Sequence, residues 1–358
     1  MLKQLLKIPL YRSFRSFGFP KIMPFSYTIS VTYKCNSRCK TCGIWERKAE
    51  EFTLEEFDRT FVSLGNSPYW VTISGGEPFL RKDTVDIVKS LYKRCSPGVI
   101  NIPTNGILSQ NIPEKVESLV SSCGKSNIVI NLSLDEVGAK HDEIRGVPGN
   151  YAKSLETYAA LRKIKAKNFT LGIHTVISKF NVKRFREIYA ELAALEPDSY
   201  ITEIAEQRGE LLTETRDITP ETKDYLEIVD FLSAELKRRK FKGVGRLARA
   251  VRLQYYSLLK ESLLKKKEII PCYAGITTAQ LAPDGNVWFC CIKAEPAGNL
   301  RENNYDFKRI WKGAAAETMR KEIKDEHCFC PLANMAYTNI MMHYPSLFKT
   351  GVRYIAGA

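Results

Sequence analysis

The chain is predicted to be an α/β protein built on a parallel sheet, with a smaller unit after it. Three observations predict this. Short β-branched apolar runs alternate with longer helical patterns, the signature of repeated βα units. Polar and glycine-rich motifs fall where several of those runs stop. Beyond the last run comes a turn-rich stretch with its own cysteines. At 358 residues, 44% of them apolar, the chain can bury one large core and a smaller one. Strands are expected near 27–33, 70–74, 98–103, 127–134, 169–176 and 199–204. Helical patterns fall between them, for example Thr53 to Leu64, Lys82 to Lys93, Tyr151 to Ala166 and Val182 to Leu195.

The first strand runs into Cys35, Cys39 and Cys42, separated by three residues and then two. Three thiolates on one short loop can hold three irons of a [4Fe-4S] cluster and leave the fourth open to an exogenous molecule. A zinc site short of one ligand is the alternative, although zinc ribbons more often pair C-x2-C knuckles. The second strand stops at Gly75, Gly76, Glu77 and Pro78. Glycines there would let backbone approach a ligand, Pro78 would stiffen the turn, and Glu77 would offer an acceptor to an ammonium group. The third strand ends at Thr104-Asn105-Gly106, where Asn105 can bond a polar ligand or form only an Asx turn. In the fourth, Asn131, Ser133 and Asp135 share one face. Arg145 follows in His141-Asp-Glu-Ile-Arg-Gly146, as a bidentate donor for a carboxylate or as one half of an ion pair. His174 lies in the apolar fifth strand and reads as a core histidine.

The cysteine triplet and the Gly-Gly-Glu-Pro turn at this distance resemble the radical S-adenosylmethionine (SAM) superfamily. The resemblance implies a partial (β/α)6 TIM-type barrel over 25–215, with ligands at the C-terminal ends of its strands. It implies SAM on the open iron, with Gly75, Gly76, Glu77 and Pro78 at its methionine end. Ser133 and Asp135 would hold its ribose and Arg145 its carboxylate. Reduction by a low-potential donor such as ferredoxin or flavodoxin would cleave SAM to a 5′-deoxyadenosyl radical that takes hydrogen from an unactivated carbon. The position before the third cysteine is often aromatic in the family and is Thr41 here, which weakens an adenine contact.

Cys272, Gly285 and Cys290 introduce the second unit. A Pro-Asp-Gly-Asn turn between them reads as a hairpin that brings both cysteines together. Gly298-Asn299-Leu300, a helix with Trp311, and His327-Cys328-Phe-Cys330-Pro331 follow. This resembles the twitch form of the SPASM domain, a small α+β module placed at 270–335. The resemblance implies Cys272, Cys290, Cys328 and Cys330 as ligands of one auxiliary [4Fe-4S] cluster; four thiolates would also suit structural zinc. Cys291 is a substitute ligand, a buried thiol or a hydrogen donor, and the only catalytic candidate; as neighbours in a strand, Cys290 and Cys291 would face opposite ways. Cys95 and Cys123 read as ordinary thiols, Cys123 the more exposed.

Seven of the ten cysteines fall in these clusters and no secretory signal is evident, so a reducing, cytoplasmic setting is expected. No apolar run reaches the ~18 residues of a membrane span. The net charge of +14 is local: Lys237 to Lys267 holds twelve basic residues against Glu261 alone, 12 − 1 = +11. A helix there would stack Leu247, Val251, Tyr255, Leu258 and Leu259, either at an anionic membrane or against the barrel. The expected layout is a basic amphipathic segment at 1–24, a basic helical linker at 216–269 and an apolar tail at 336–358. Peripheral contact with the inner membrane face follows as an expectation. The substrate expected is a lipid or lipid-linked molecule, with a peptide or a soluble sugar-like metabolite as the alternative. The reaction would be an oxidation or a C–C bond formation. Nucleic acid is not expected, since aromatics in the basic stretch sit at helical core spacing. Gly243-Val-Gly245 imitates a dinucleotide loop but follows no strand.

Overall fold

The computed structural model describes all residues except 1, 241–243, 327, 329 and 357–358. His327 and Gly243, singled out above, therefore lie outside the described residues, as does Lys242 of the basic stretch.

Helices α1 (Leu2–Leu5) and α2 (Ile8–Phe17) precede six strands: β1 (Ser26–Thr32), β2 (Trp70–Gly75), β3 (Val99–Thr104), β4 (Asn127–Ser133), β5 (Phe169–Ile177) and β6 (Ser199–Ile204). Each pairs in parallel with the next, so chain order is sheet order. Between them lie α3 (Leu54–Leu64), α4 (Thr84–Cys95), α5 (Ile112–Ser122), α6 (Ala139–Arg145), α7 (Asn150–Leu161) and α8 (Phe185–Ala193). This is the α/β partial barrel expected. Ile29, Val71, Ile73, Ile100, Ile102, Ile128 and Ile130 are fully buried in its core; burying one such side chain contributes about 1.5–3 kcal/mol. The start of α3 shows how local sequence sets an element. Thr53 accepts the Glu56 N–H while the Glu56 carboxylate takes the Thr53 N–H, a capping box that fixes where the helix begins.

After β6 come α9 (Thr222–Arg238) and α10 (Val244–Lys265), then β7 (Thr278–Leu281), β8 (Asn286–Trp288) and β9 (Pro296–Asn299), and finally α11 (Phe307–Lys312), α12 (Ala314–Asp325), α13 (Ala333–Met342) and α14 (Tyr344–Ala356). Strands β7 and β8 form the expected hairpin. Gly285 in its turn has φ +87°, and a Cβ there would press on the Phe52 ring at 2.6 Å. Strand β7 also pairs in parallel with β1, so the second unit continues the barrel's own sheet, in the order β6-β5-β4-β3-β2-β1-β7-β8-β9.

Of the two settings expected for the basic helix, the structure shows the one against the barrel. In α10, Leu253, Tyr255, Tyr256 and Leu259 are buried, Tyr256 OH meets Thr202 Oγ1 at 3.0 Å, and Arg252 donates to the Tyr200 carbonyl. Its arginines Arg249 and Arg252 point into the protein, Arg252 to the Tyr200 carbonyl on the barrel edge at β6 and Arg249 to the Arg239 carbonyl at the end of α9. Helix α2 is likewise part of the core through Ile8, Tyr11 and Phe14, with Arg15 Nε donating to the Cys272 carbonyl at 2.8 Å. Cys123 is fully buried at the end of α5 rather than exposed. No helix among the described residues is long and apolar enough to cross a membrane.

Candidate active site

The loop after β1 carries Cys35, Cys39 and Cys42 and is tied down on both sides. Arg38 and Lys40 donate their N–H groups to the carbonyls of Arg145 and Ile144, each at 2.9 Å, and Gly43 N–H reaches the Leu211 carbonyl at 2.7 Å. The sulfurs face donors: Ser37 N–H lies 3.4 Å from Cys35 Sγ, Ile44 N–H 3.5 Å from Cys42 Sγ, and Arg145 Nη1 3.8 Å from Cys39 Sγ. Burial pushes Cys35 up to about 11 and Cys42 up to about 12, and raises Cys39. Such thiols ionise when metal cations take the charge, so three half-buried thiols ringed by donors suit the ligation of a cluster. Among the described residues no three His, Cys, Asp or Glu side chains are gathered as ligands of a single metal ion.

At the end of β2 the glycines serve a purpose different from the one read in the sequence. A Cβ on Gly75, whose φ is +122°, would overlap the Thr32 carbonyl oxygen, and one on Gly76 would overlap that of Lys34. The space they leave is filled by the backbone leading into the cysteine loop, with Gly76 N–H to Thr32 O at 2.7 Å and Glu77 N–H to Lys34 O at 2.9 Å. Glu77 is fully buried and accepts from Phe79 N–H at 3.1 Å, Thr104 Oγ1 at 2.9 Å and Asn105 N–H at 2.8 Å. A carboxylate has about four acceptor positions, so one remains for an ammonium group. Pro78 is buried beside it and opens a short 3-10 turn.

Asn105 forms the Asx turn, its Oδ1 accepting Ile107 N–H at 3.0 Å. Its amide serves the cysteine loop, at 2.7 Å from Asn36 Oδ1 and 3.1 Å from Ser37 Oγ. Asp135 and Arg145 pair with each other, Nε to Oδ2 at 2.8 Å, although that Nε makes no well-directed hydrogen bond. Ser133 borders the same cavity, and its hydroxyl has no hydrogen-bond partner among the described residues.

The cavity, of about 180 Å3, is lined by the triplet, Gly75 to Pro78, Asn105, Ser133, Asp135 and Arg145. Thr41 lines it too. Its far wall went unread in the sequence. His174 is not a core residue: it borders the cavity with Nε2 3.9 Å from Glu203 Oε2, and burial lowers its pKa. Glu206 and Arg208 complete that wall. Burial pushes the Glu206 carboxyl up to about 7, with Arg208 drawing it down and Glu203 pushing it further up. The available signal was the alternation in β6, where Ser199, Ile201 and Glu203 are the less buried positions and so share one face.

Burial raises Cys272, Cys328 and Cys330, with charge on other cysteines of the group adding to each shift. Strand β8 ends at Trp288, and Ala294 N–H reaches the Cys290 carbonyl at 2.9 Å, so Cys290 and Cys291 sit in a turn. The argument that strand neighbours face opposite ways does not apply to them. Gly209 and Glu210 donate N–H groups to the carbonyls of Ile292, at 2.7 Å, and Cys291, at 3.2 Å. Leu211 on the same loop holds Gly43. Segment 208–211 thus touches both cysteine groups, beside a small apolar cluster of Tyr33, Ile44, Ala282 and Trp288.

The radical SAM superfamily model matches residues 29–192, and an iron-sulfur cluster-binding domain model, SPASM, matches residues 272–331. An AdoMet-dependent heme synthase of Methanosarcina barkeri is 26% identical over 321 residues, covering 84% of each chain. The antilisterial bacteriocin subtilosin biosynthesis protein of Bacillus subtilis is 23% identical over 327 residues, 87% of this chain and 66% of that protein. Among solved structures, native anSMEcpe with bound AdoMet and a Cp18Cys peptide superposes with a TM-score of 0.59 at 16% identity, over 93% of this chain and 98% of that one. At that identity the likeness is one of fold. With both models matched in chain order on a parallel partial barrel, this protein is a radical SAM enzyme with a C-terminal SPASM-type domain, whose cofactors are SAM, the [4Fe-4S] cluster that binds it and auxiliary iron-sulfur.

Proposed function

We propose that this enzyme removes a hydrogen atom from a carbon of a polar substrate held between the cysteine triplet and the wall formed by His174, Glu203, Glu206 and Arg208. The observation that carries this reading is that one cavity is bordered by the triplet, the Gly-Gly-Glu-Pro turn and those four charged or titratable side chains. Bound on the triplet's cluster, SAM supplies the 5′-deoxyadenosyl radical once a low-potential donor of the ferredoxin or flavodoxin kind delivers an electron. The protein's own part is placement. Cys35, Cys39 and Cys42 hold the cluster. Glu77 offers its remaining acceptor to the SAM ammonium, and Arg145 and Ser133 meet the carboxylate and the ribose. Segment 208–211 borders the cavity on one side and bonds the Cys291 and Ile292 backbone on the other; Cys272, Cys290, Cys328 and Cys330 would hold the auxiliary cluster, which would supply one-electron chemistry for oxidation or bond formation.

A peptide segment is the substrate class favoured here. Carboxylates facing the cavity suit the donors of a polar chain, and a bare acyl chain would leave them without partners. Two of the three relatives described above are in keeping with this, one a bacteriocin biosynthesis protein and one a structure holding a peptide, while the third is a heme synthase. A lipid-linked polar molecule is the second reading, favoured by outward apolar side chains on α2 and α14.

The test is 5′-deoxyadenosine formation by anaerobically reconstituted enzyme. Alanine at Cys35, Cys39 and Cys42 should abolish it and remove one cluster's iron. Alanine at the four auxiliary cysteines should remove the other iron and leave slow, uncoupled SAM cleavage. Cleavage surviving the first set would sink the assignment.

A further inference from the structure

Helix α14 is inside out. Its buried face carries Ser346 and Thr350, each 2% exposed, while Tyr344, Phe348, Val352 and Ile355 form an outward stripe at helical spacing, with Phe348 74% and Ile355 80% exposed. The inner polar groups are satisfied within the helix and its cap. Thr350 Oγ1 donates to the Ser346 carbonyl at 2.8 Å, and Ser346 Oγ lies 2.8 Å from His343 Nδ1. Small side chains let α14 lie close on α10, and Arg246 Nη2 closes its far end on the Tyr354 carbonyl at 2.9 Å. The apolar residues are therefore not spare core; the helix is fixed with them pointing out.

Helix α2 repeats the pattern. Its inner face is Ile8, Tyr11 and Phe14, and its outer side shows Leu10 and Phe17, flanked by Leu6 and Phe19, all exposed. The two helices meet at Arg12, whose guanidinium lies 4.3 Å from the centre of the Tyr344 ring and whose Nη1 donates to the Met342 carbonyl at 2.7 Å. Lys7 and Lys349 stand exposed beside the stripes, with Arg353 half-buried. Neither residues 2–24 nor 328–356 contain an acid. The nearest carboxylate on the supporting helix, Glu261, is paired with Lys265 at 2.6 Å.

We infer that the outer faces of α2 and α14 together dock on an anionic lipid bilayer. Aromatic and aliphatic tips flanked by cations, with no carboxylate in either segment and the neighbouring Glu317 of α12 paired with Lys21, match an interfacial helix pair, whereas protein interfaces are depleted in lysine. This goes beyond the catalytic reading and depends on neither the substrate nor the ligand set. Of the three basic and apolar segments expected at a membrane, it keeps the two terminal ones and leaves out α10, whose arginines Arg249 and Arg252 turn inward.

The test is sedimentation of the reconstituted holoenzyme with phosphatidylglycerol-containing vesicles, against pure phosphatidylcholine vesicles and against high salt. Binding to the anionic vesicles is expected, reduced about tenfold or more by Phe348→Glu with Ile355→Glu and a few-fold by Lys349→Glu. Iron content and 5′-deoxyadenosine formation should not change, because these side chains project from the surface. Absence of vesicle binding, or binding that the variants leave unaltered, overturns the inference. So does a dimer in gel filtration that the same variants convert to monomer, since a second copy would then cover the stripes.

Discussion

Asp135 and Arg145 hold each other in the wall of the cavity, with Nε 2.8 Å from Oδ2 and both side chains almost entirely buried. Each was expected to touch SAM separately. Asp135 is further fixed by Val176 N–H, 2.9 Å from its other carboxylate oxygen, and its own N–H points at His141 Nδ1 at 3.2 Å. Arg145 extends past it to Cys39. The pair therefore couples the end of β4 to the cysteine loop, and SAM would meet Arg145 as a guanidinium already neutralised on one side.

Removing one partner should cost far more than removing both. Arg145→Met leaves a buried carboxylate without a counter-charge, a loss of about 3–5 kcal/mol. Asp135→Asn combined with Arg145→Met should recover part of it. Urea unfolding of the holoenzyme variants measures the cycle, and an additive double variant would mean that the pair is not coupled.

Gly75→Ala and Gly76→Ala should act on the cysteine loop before they act on SAM. The new Cβ has to displace the Thr32 or Lys34 carbonyl, and at Gly75 the left-handed φ adds strain. The expected result is loss of the first cluster's iron with the auxiliary iron retained. Full iron with weak SAM binding would instead mean that the glycines serve ligand approach alone.

The six parallel strands were legible because β-branched runs and strand-end motifs coincide, as at Val71 to Gly76. The cysteine groups were legible because spacing reports chemistry directly. What charge counting could not show was direction. Arg249 and Arg252 look like a surface patch in the sequence and are turned inward, Arg249 by the Arg239 carbonyl at the end of α9 and Arg252 by the Tyr200 carbonyl on β6. Ser346 and Thr350 look like the solvent face of α14 and are its buried face. His174 read as core because it lies in an apolar strand, yet alternation turns it into the cavity while its neighbours Ile173 and Thr175 are buried.

Glu206 should set a pH dependence of stability. Its carboxyl is pushed up to about 7 from an ordinary 4.5, chiefly by burial, and it has no hydrogen bond or ion pair among the described residues. A raised folded-state pKa means that protonation favours the folded state. The unfolded chain ionises from about pH 4.5 while the folded chain resists until about pH 7, so stability falls across that window and the penalty is complete above it. Glu206→Gln removes the penalty. Its Tm should match wild type near pH 4.5 and exceed it by about 2–4 °C above pH 7. A gap that does not change with pH would contradict the raised carboxyl.

Cys290 and Cys291 should separate on iron content. Charge on Cys290 adds to the shifts of Cys272, Cys328 and Cys330, whereas charge on Cys291 adds to that of Cys330 alone; Cys291 itself is pushed up to about 12 by burial, with Glu210 adding and Arg208 opposing. Cys290→Ser should therefore lose the auxiliary cluster's iron, close to half of the total if both clusters are cubanes. Cys291→Ser should keep that iron and the electron paramagnetic resonance signature of both reduced clusters. If Cys291→Ser loses the iron instead, the ligand assignment passes to Cys291. Cys290 is then the bystander, and the auxiliary cluster stands one residue nearer to the segment that holds Glu210 and Arg208.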